Sequence, residues 1–239
     1  YSYISGDNTM LPGSEMEIAT SLYHSWYDPA EDRHYGNPVE DYTIELIYNE
    51  ENAPTWDADL ISVELEEDQR TIRVKAGNNS GGTDIPIRYI VADENGDQTE
   101  VGQQTIHVEV AEDFYTIEPV SLNEAVRKCN VGDVVDFNDF QITTQHWVKD
   151  GEDIQTMALV DQDQSEIRYY TEYDEEAWER LDNPEDRYGL PVLKRITYEN
   201  TNVGIFAEKK LTSEDNAENW QTVAGRSYNF EEKQYNVEL

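Results

Sequence analysis

The sequence predicts an all-β protein made of two modules, because short apolar–polar alternations recur between strong turn signals. Ile61–Leu65 and residues 71–75 alternate strictly, which is typical of half-buried strands. Residues 78–83 and the pair Asn95-Gly96 are rich in the residue types that turns require, and Asn-Gly favours a tight hairpin. Short strands at regular spacing with turns between them indicate a sandwich or a barrel.

The other strands of the first half follow in chain order. Residues 43–48 are rich in strand-forming types, and the acidic spacer 66–70 suits a hairpin loop between the two alternating segments. Residues 85–91 come next, and Pro86 indicates a start at a sheet edge or strand end, because proline has no N–H to donate. Residues 104–110 form the strand that returns from the Asn-Gly turn.

The stretch 87–99, together with 105–110, resembles the last hairpin of bacterial immunoglobulin-like repeats. Those repeats carry a Tyr-x-Val-x-Asp-x-x-Gly-Asn type hairpin before a terminal alternating strand. The likeness extends more loosely over residues 1–112. It implies an immunoglobulin-like β-sandwich there, used as a spacer or a binding module and without catalysis.

The second half, residues 113–239, reads as a second mainly β domain with one or two short helices. Ser121 and Glu124 form a capping-box pattern that predicts a helix over 125–129, and Trp178 with Leu181 marks one face of a second helix. That second helix covers 174–181. The predicted strands are 134–142, Thr156–Val160, 167–170, 192–198 and 204–209, with the tail 228–239 as a further candidate.

Residues 121–173 are similar to secreted bacterial OB-fold modules, in which a Leu-x-Glu-Ala helix precedes Gly-x-x-Val and a later strand ends in Asp. This likeness implies an OB-like barrel in the second half. A second sandwich stays open as the alternative, because Trp26 is followed by Trp56, and Trp147 by Trp178, at similar intervals.

Charge restricts the partners of the chain. There are 52 acidic against 17 basic residues, for a formal net charge of −35. Such a surface repels phosphate backbones and anionic lipids, so we expect neither nucleic acid nor a membrane surface as a partner. No apolar run approaches the roughly 18 residues that a spanning helix needs, so we expect no membrane insertion. A protein or a glycan is the partner that remains.

The single cysteine, Cys129, excludes an internal disulfide framework and is compatible with bacterial export. We expect it to be a packed small residue. The chain begins at Tyr1 without a methionine, and we read it as a piece of a longer extracellular or cell-surface protein.

No pattern for catalysis is present, so we expect the chain not to be an enzyme. The nucleophile elbow, the zinc-protease helix and the phosphate loop are all missing. A metal site from His24, His34 and a carboxylate such as Asp28 is conceivable, but the spacing matches no motif of defined geometry. A catalytic fragment using these histidines is the third hypothesis.

Calcium is the one cofactor that the sequence suggests, since it takes oxygen ligands from loops. Asp93, Asn95 and Asp97 present alternating oxygen ligands, and Asp161 and Asp163 repeat the pattern. The first set lacks the glycine and glutamate of an EF-hand. Hairpin chemistry around Asn95 explains the same residues without metal.

Exposed aromatic rings are the candidates for ligand binding. Trp26 and Tyr27 lie in a tyrosine-rich segment. Trp147 directly follows a histidine, and Trp26 comes two residues after one. The alternative is that Trp26 and Trp147 are core rings, which are common in sandwiches. The sequence therefore predicts a non-catalytic extracytoplasmic module pair that displays loops for adhesion or partner binding. A carbohydrate-binding module of a larger glycan-acting enzyme is the alternative.

Overall fold

The computed structural model describes residues 2–4, 8–30, 33–119, 128–149, 156–160, 166–198, 200–212 and 218–231. These residues form an all-β protein of eighteen strands and a single 3₁₀ turn, Phe137–Phe140. The strands are β1 (Ser2–Ile4), β2 (Thr9–Met10), β3 (Glu15–Asp28), β4 (Arg33–Pro38), β5 (Thr43–Leu46), β6 (Ile61–Leu65), β7 (Thr71–Ala76), β8 (Gly81–Ala92), β9 (Gln98–Val110), β10 (Asp113–Pro119), β11 (Val134–Asp136), β12 (Ile142–Lys149), β13 (Thr156–Val160), β14 (Ile167–Tyr173), β15 (Trp178–Arg180), β16 (Val192–Arg195), β17 (Thr201–Thr212) and β18 (Glu218–Phe230).

The chain divides into two compact units. The first unit holds Tyr1–Phe114 and Trp147–Met157, and the second unit holds Tyr115–His146 and Ala158–Leu239. The chain passes from one unit to the other within β10, β12 and β13. That 1–112 and 113–239 are separate domains stays a prediction.

Two sheets form the sandwich of the first unit. One has the order β1-β3-β7-β6 with β4 also paired to β3, and the other has the order β2-β9-β8-β5. Alternate residues of each strand point inward, as the pleat requires. The shared core includes Ile72 and Val74 from β7 and Ile106 and Val108 from β9, all essentially buried. The predicted hairpin of 61–65 and 71–75 is confirmed, because β6 pairs antiparallel with β7.

Pro86 lies inside β8, between β9 and β5, rather than at the start of a strand. The ladder with β5 ends at the pair Leu46–Ile87, and the carbonyl of Pro86 accepts a bond of 3.0 Å from the N–H of Ile47. The missing N–H of Pro86 thus falls where the ladder with β5 has just ended, so this interior position tolerates proline.

The second unit contains the three-stranded sheets β11-β16-β15 and β14-β17-β18, and β10, β12 and β13 form another. Its core is strongly aromatic, with Phe137 meeting Phe140, Tyr228 and Phe230 edge to face at 5.5–6.1 Å between centroids. Edge-to-face contact is the arrangement that ring quadrupoles favour. No sheet of the described residues closes into a barrel, so the sandwich-like alternative agrees with the structure and the OB-like barrel does not.

The helix predicted over 174–181 is wrong. Asp174 starts a turn instead, with its carbonyl accepting from the N–H groups of Ala177 and Trp178 at 3.0 and 2.9 Å. Its carboxylate also accepts from the N–H of Glu176 at 2.9 Å. Trp178 then opens β15 and is 1% exposed, with Nε1 donating to Thr201 Oγ1 at 3.1 Å. An exposed helix cannot bury Trp178 this fully, so tertiary burial overrides the local i,i+3 pattern. The other predicted helix falls mostly outside the described residues.

The predicted strand 134–142 is interrupted by the 3₁₀ turn. The Asp136 carboxylate accepts from the N–H of Asn138, and Gln141 ends the turn in the left-handed region with φ of 49°. This single turn places Phe137 and Phe140 on the same side, where both are buried. A continuous strand would send residues an odd number of positions apart to opposite faces.

Arg195 is the most unusual core residue, because it is 0% exposed. Its Nε donates to the Thr197 carbonyl at 2.9 Å, and its Nη1 to the Phe230 carbonyl at 3.0 Å. Nη2 lies 3.4 Å from the Tyr198 carbonyl, and Nη1 lies 3.7 Å from the sulfur of Cys129. Cys129 is itself buried, as expected. The guanidinium therefore joins the segment around Thr197 and Tyr198 to the end of β18 through backbone carbonyls, and it also contacts the sulfur of Cys129.

Candidate binding surface

The rings of Trp26 and Tyr27 are displayed on a two-stranded ribbon of the first unit. Residues Tyr23 to Asp28 of β3 pair with β4, past the part of β3 that pairs with β7. Trp26 is 39% and Tyr27 47% exposed, and the two point to opposite faces as successive strand residues do. His24 stacks on Trp26 at 5.6 Å between ring centroids.

Neither Trp26 nor Trp147 belongs to the buried core, so the alternative reading of them as core rings is wrong. Trp147 is half-buried on β12 and stacks nearly parallel to Phe114, with 6.1 Å between centroids. The tryptophans that fill cores are Trp56, which is 7% exposed, and Trp178.

Asp93 organises the hairpin turn between β8 and β9. Its Oδ1 accepts from the N–H groups of Asn95 and Asp97, each at 2.8 Å. Hydrogen bonds from the backbone of Asp97, then Asn95, lower the pKa of Asp93. Gly96 takes a φ of 85°, the left-handed conformation that glycine adopts freely. One carboxylate oxygen of Asp93 therefore already has two N–H partners.

Calcium binding at Asp93, Asn95 and Asp97 stays a prediction, and melting experiments test it. We expect at most a modest rise in melting temperature in millimolar Ca²⁺, because Oδ1 of Asp93 is occupied by the turn. We also expect Asp93→Ala to lower the melting temperature in EDTA, whereas Asp93→Asn keeps an acceptor oxygen and the turn. Identical melting in Ca²⁺ and EDTA would end the calcium hypothesis.

The other predicted metal residues are placed as follows. Asp161 and Asp163 lie outside the described residues. His24 is on the exposed ribbon, and the side chain of His34 lies outside the described part. Among the residues whose side chains are described, no group of three or more His, Cys, Asp or Glu is arranged to hold a metal ion. Within the same limits, no helix is long and apolar enough to cross a membrane.

His107 lies between two carboxylates on the exposed face of β8 and β9. Its Nδ1 is 2.7 Å from Asp84 Oδ1, and its Nε2 is 3.4 Å from Glu109 Oε2. The hydrogen bond with Asp84 is the largest cause that raises the pKa of His107, and Glu109 adds to it. The arrangement can bind a proton more tightly than a free imidazole does.

This raised pKa predicts a pH-dependent contribution to stability. A raised folded-state pKa stabilises the fold fully below the unfolded value of about 6.5, and the effect is lost as pH rises through the folded value. We therefore expect wild type to exceed His107→Gln in unfolding free energy at pH 5.5, and the difference to vanish by pH 9. The difference should stay below about 1 kcal/mol, because the pair is exposed. Urea titrations across this range measure it, and a difference that grows with pH contradicts it.

A second surface, which the sequence did not predict as a site, covers the outer face of the sheet β14-β17-β18. We call it the aromatic–arginine face. It consists of Arg168 and Tyr170 from β14, Phe206 from β17, Trp220 from β18, and Arg187 and Tyr188 from the loop between β15 and β16. The inward residues of the same strands, such as Val203, Ile205 and Ala207, are fully buried. Strand alternation thus gives this sheet one apolar and one partly exposed aromatic face.

Two glycines make room for the ring of Phe206. Gly225 is directly opposite Phe206 on β18, and Gly204 lies two residues before it on β17. A Cβ atom would come within 2.7 Å of the ring at Gly225 and 2.9 Å at Gly204. The ring stacks on Tyr170 at 4.9 Å between centroids with 12° between planes. Such a ring over strand glycines stabilises a sheet and holds its own position.

Arg168 lies between two rings. Its guanidinium carbon is 3.9 Å from the centroid of Tyr188 and 4.2 Å from that of Trp220. Its Nε also pairs with Glu208 Oε2 at 2.6 Å. A planar guanidinium suits both contacts at once, so lysine could not replace it.

The loop that brings Arg187 and Tyr188 to the face is anchored by Arg180. Arg180 pairs with Asp182 at 2.6 Å, and its Nη1 donates to the Asp186 carbonyl at 2.6 Å. The hydrogen bond that Arg180 donates to the Asp182 carboxylate lowers the pKa of Asp182. Tyr188 then bridges to Tyr170 of β14. The guanidinium of Arg187 consequently lies 5.3 Å from the Tyr170 ring and 5.9 Å from the Tyr188 ring.

Small polar residues continue the same face beyond Phe206. Asn202 and Asn229 are opposite one another, with Nδ2 of Asn229 donating to Oδ1 of Asn202 at 2.9 Å. Ser227 is exposed opposite Gly204. One end of the face therefore offers rings and guanidinium groups, and the other offers amides, a hydroxyl and the exposed carboxylate of Glu172, which is opposite Gly204 on β14.

No protein-family model matches the chain, and no curated protein matches it. Among solved structures, the chain is similar to surface layer protein SbsC, domains 6–7 (monoclinic form), with 12% sequence identity over 98% of each chain and a TM-score of 0.25. A TM-score this low does not establish a shared fold, so the likeness supports no functional inference.

Proposed function

We propose that the chain is a non-catalytic, extracytoplasmic module pair of a bacterial surface or secreted protein, and that the aromatic–arginine face binds its partner. In this proposal residues 1–112 form an immunoglobulin-like sandwich that acts as a spacer. The observation that carries it is the Trp220–Arg168–Tyr188 stack, because it fixes large rings and a cation on a solvent-facing sheet.

The energetics of recognition support this assignment. Trp, Tyr and Arg are the residues that dominate binding energy at interfaces, and rigid rings lose little entropy when they are contacted. Here Arg168 is fixed by two rings and a carboxylate, and Phe206 by two glycines and Tyr170. The face is thus ordered before a partner arrives, which favours affinity.

A combined glycan and peptide array tests the proposal. Labelled wild-type protein is compared with Trp220→Ser and Arg187→Gln, with Arg88→Gln as a matched control because Arg88 is a half-exposed arginine of the first unit paired with Glu45. We expect the ligands that wild type binds on the array to be lost in both face variants and still to be bound by Arg88→Gln. The proposal is contradicted if Trp220→Ser and Arg187→Gln bind the same ligands as wild type. It is also contradicted if mass spectrometry finds that a bound ligand has been chemically changed.

A carbohydrate-binding module that uses the ribbon is the second candidate, favoured by the exposure of Trp26 and Tyr27. Such rings can stack on the apolar faces of sugars. The same glycan array decides it, since loss of binding in Trp26→Ala alone, with the face variants unaffected, assigns recognition to the ribbon.

A further inference from the structure

We propose that the ligand of the aromatic–arginine face is a carboxylated polysaccharide, and that Arg187 binds the carboxylate of one sugar unit. The inference rests on the proposed function, because it names the ligand class for the same face.

Arg187 is the first reason. Across the side chains that the structure describes, carboxylates or backbone carbonyls pair with the guanidinium groups of other arginines, including Arg73, Arg88, Arg168 and Arg226. Arg187 is exposed and is held against Tyr170 and Tyr188 instead of a carboxylate. Since acidic residues outnumber basic ones by 52 to 17, an arginine left on two rings presents a strong anion-binding group to the solvent.

The shape of the face is the second reason. The rings and guanidinium groups of Trp220, Arg168, Tyr188, Arg187 and Tyr170 form one cluster, with contacting partners 3.9–5.9 Å apart. From this cluster the face continues along the strands, from Trp220 opposite Lys210 to Asn229 opposite Asn202. At about 3.3 Å per residue this part of β17 is roughly 26 Å long, which fits an extended polymer better than a small compact ligand.

The polar end of the face favours sugar over protein. Asn202, Ser227 and Asn229 present amide and hydroxyl groups that can bond to sugar hydroxyls. A protein partner would favour a central pocket for a large anchor side chain. Phe206 and its neighbouring glycines fill the middle of this sheet instead.

Electrostatics set the condition under which binding must be measured. The net charge of −35 repels any anionic polymer at long range. At an ionic strength of about 0.15 M the screening length is about 8 Å, so distant carboxylates contribute little while the contact with Arg187 persists. At about 0.01 M it is about 30 Å, and the whole chain then opposes binding.

The experiment uses affinity electrophoresis of the full chain at about 0.15 M ionic strength. The probes are polygalacturonate, alginate and hyaluronate as carboxylated polysaccharides, fully methyl-esterified polygalacturonate as the neutral control, and poly-L-glutamate as the acidic polypeptide. The variants are Arg187→Gln, Arg187→Lys and the control Arg88→Gln. Arg187 and Arg88 are both surface residues, so thermal melting is expected to show that every variant folds.

We expect at least one carboxylated polysaccharide to bind, and esterification or Arg187→Gln to weaken it about tenfold or more, as for the loss of one hydrogen-bonded ion contact. Arg187→Lys should retain part of the affinity, and Arg88→Gln all of it. Equal binding of the esterified polymer, or no effect of Arg187→Gln, overturns the inference. Binding of poly-L-glutamate alone also overturns it but leaves the proposed function standing, because the face then recognises acidic protein segments. If no carboxylated polysaccharide binds, the inference fails, and the array with the face variants judges the proposed function separately.

Discussion

Replacing Arg195 with methionine is expected to destabilise the second unit by about 3 kcal/mol or more. Methionine fills much of the space but donates no hydrogen bond. The three hydrogen bonds that Arg195 donates to the carbonyls of Thr197, Tyr198 and Phe230 are then lost, each worth about 1.5–3 kcal/mol when the donor is charged. The largest part of the cost falls on the Phe230 carbonyl, whose bond to Arg195 is buried. Guanidinium denaturation followed by tryptophan fluorescence measures the loss, because Trp178 lies in the same core.

Arg195→Lys is the control for charge in this series. Lysine keeps the positive charge but cannot place its donors in the fork that reaches the three carbonyls, so we expect Arg195→Lys to lose slightly less unfolding free energy than Arg195→Met. A methionine variant within about 0.5 kcal/mol of wild type would show that the buried guanidinium is not a structural joint.

Trp178→Ala is the second large effect, at about 3–5 kcal/mol. Trp178 packs edge to face on Phe230 at 5.0 Å between centroids and is almost fully buried, so alanine leaves a cavity. Hydrogen exchange should show reduced amide protection in β14 to β18. Guanidinium denaturation of wild type and Trp178→Ala should give the difference in unfolding free energy.

Two variants sharpen the Trp178 experiment. Trp178→Phe keeps a ring but loses the bond to Thr201, so we expect a smaller loss than for alanine. Trp26→Ala removes a tryptophan from the exposed ribbon and should stay within about 0.5 kcal/mol of wild type. Equal losses at Trp26 and Trp178 would contradict the assignment of Trp178 to the core.

The fold was predictable where the signal is local. Residues 61–65 and 71–75 alternate within a few positions, and the Asp93 turn depends on neighbours in the sequence, so both hairpins follow from the residues themselves. Residues 174–181 show the opposite case. Their helix-like spacing is real, but burial of Trp178 against Phe230 comes from a strand some fifty positions away. The position of Pro86 likewise depends on where β5 stops pairing, which no local pattern contains.

The candidate site was less predictable than the fold. The tyrosine-rich segment around Trp26 suggested exposed rings only as one of two alternatives, because a core tryptophan is equally compatible with that pattern. The aromatic–arginine face could not be predicted in this way, because its groups come from three strands and a loop. A register shift between Ala207 and Glu208 decides which residues of β18 oppose those of β17. The one available signal was the pairing of glycines with an aromatic residue, at Gly204 and Gly225 around Phe206, but only the register shows that they meet.

The burial of Cys129 makes it a chemical reporter of the second unit. Cys129 is 4% exposed and carries the only thiol in the chain, so a thiol-specific reagent can modify a molecule once and only after the surrounding strands separate. When closing is faster than labelling, the labelling rate reports the fraction of time spent open. Mass spectrometry of the intact chain counts these openings under native conditions, without denaturant.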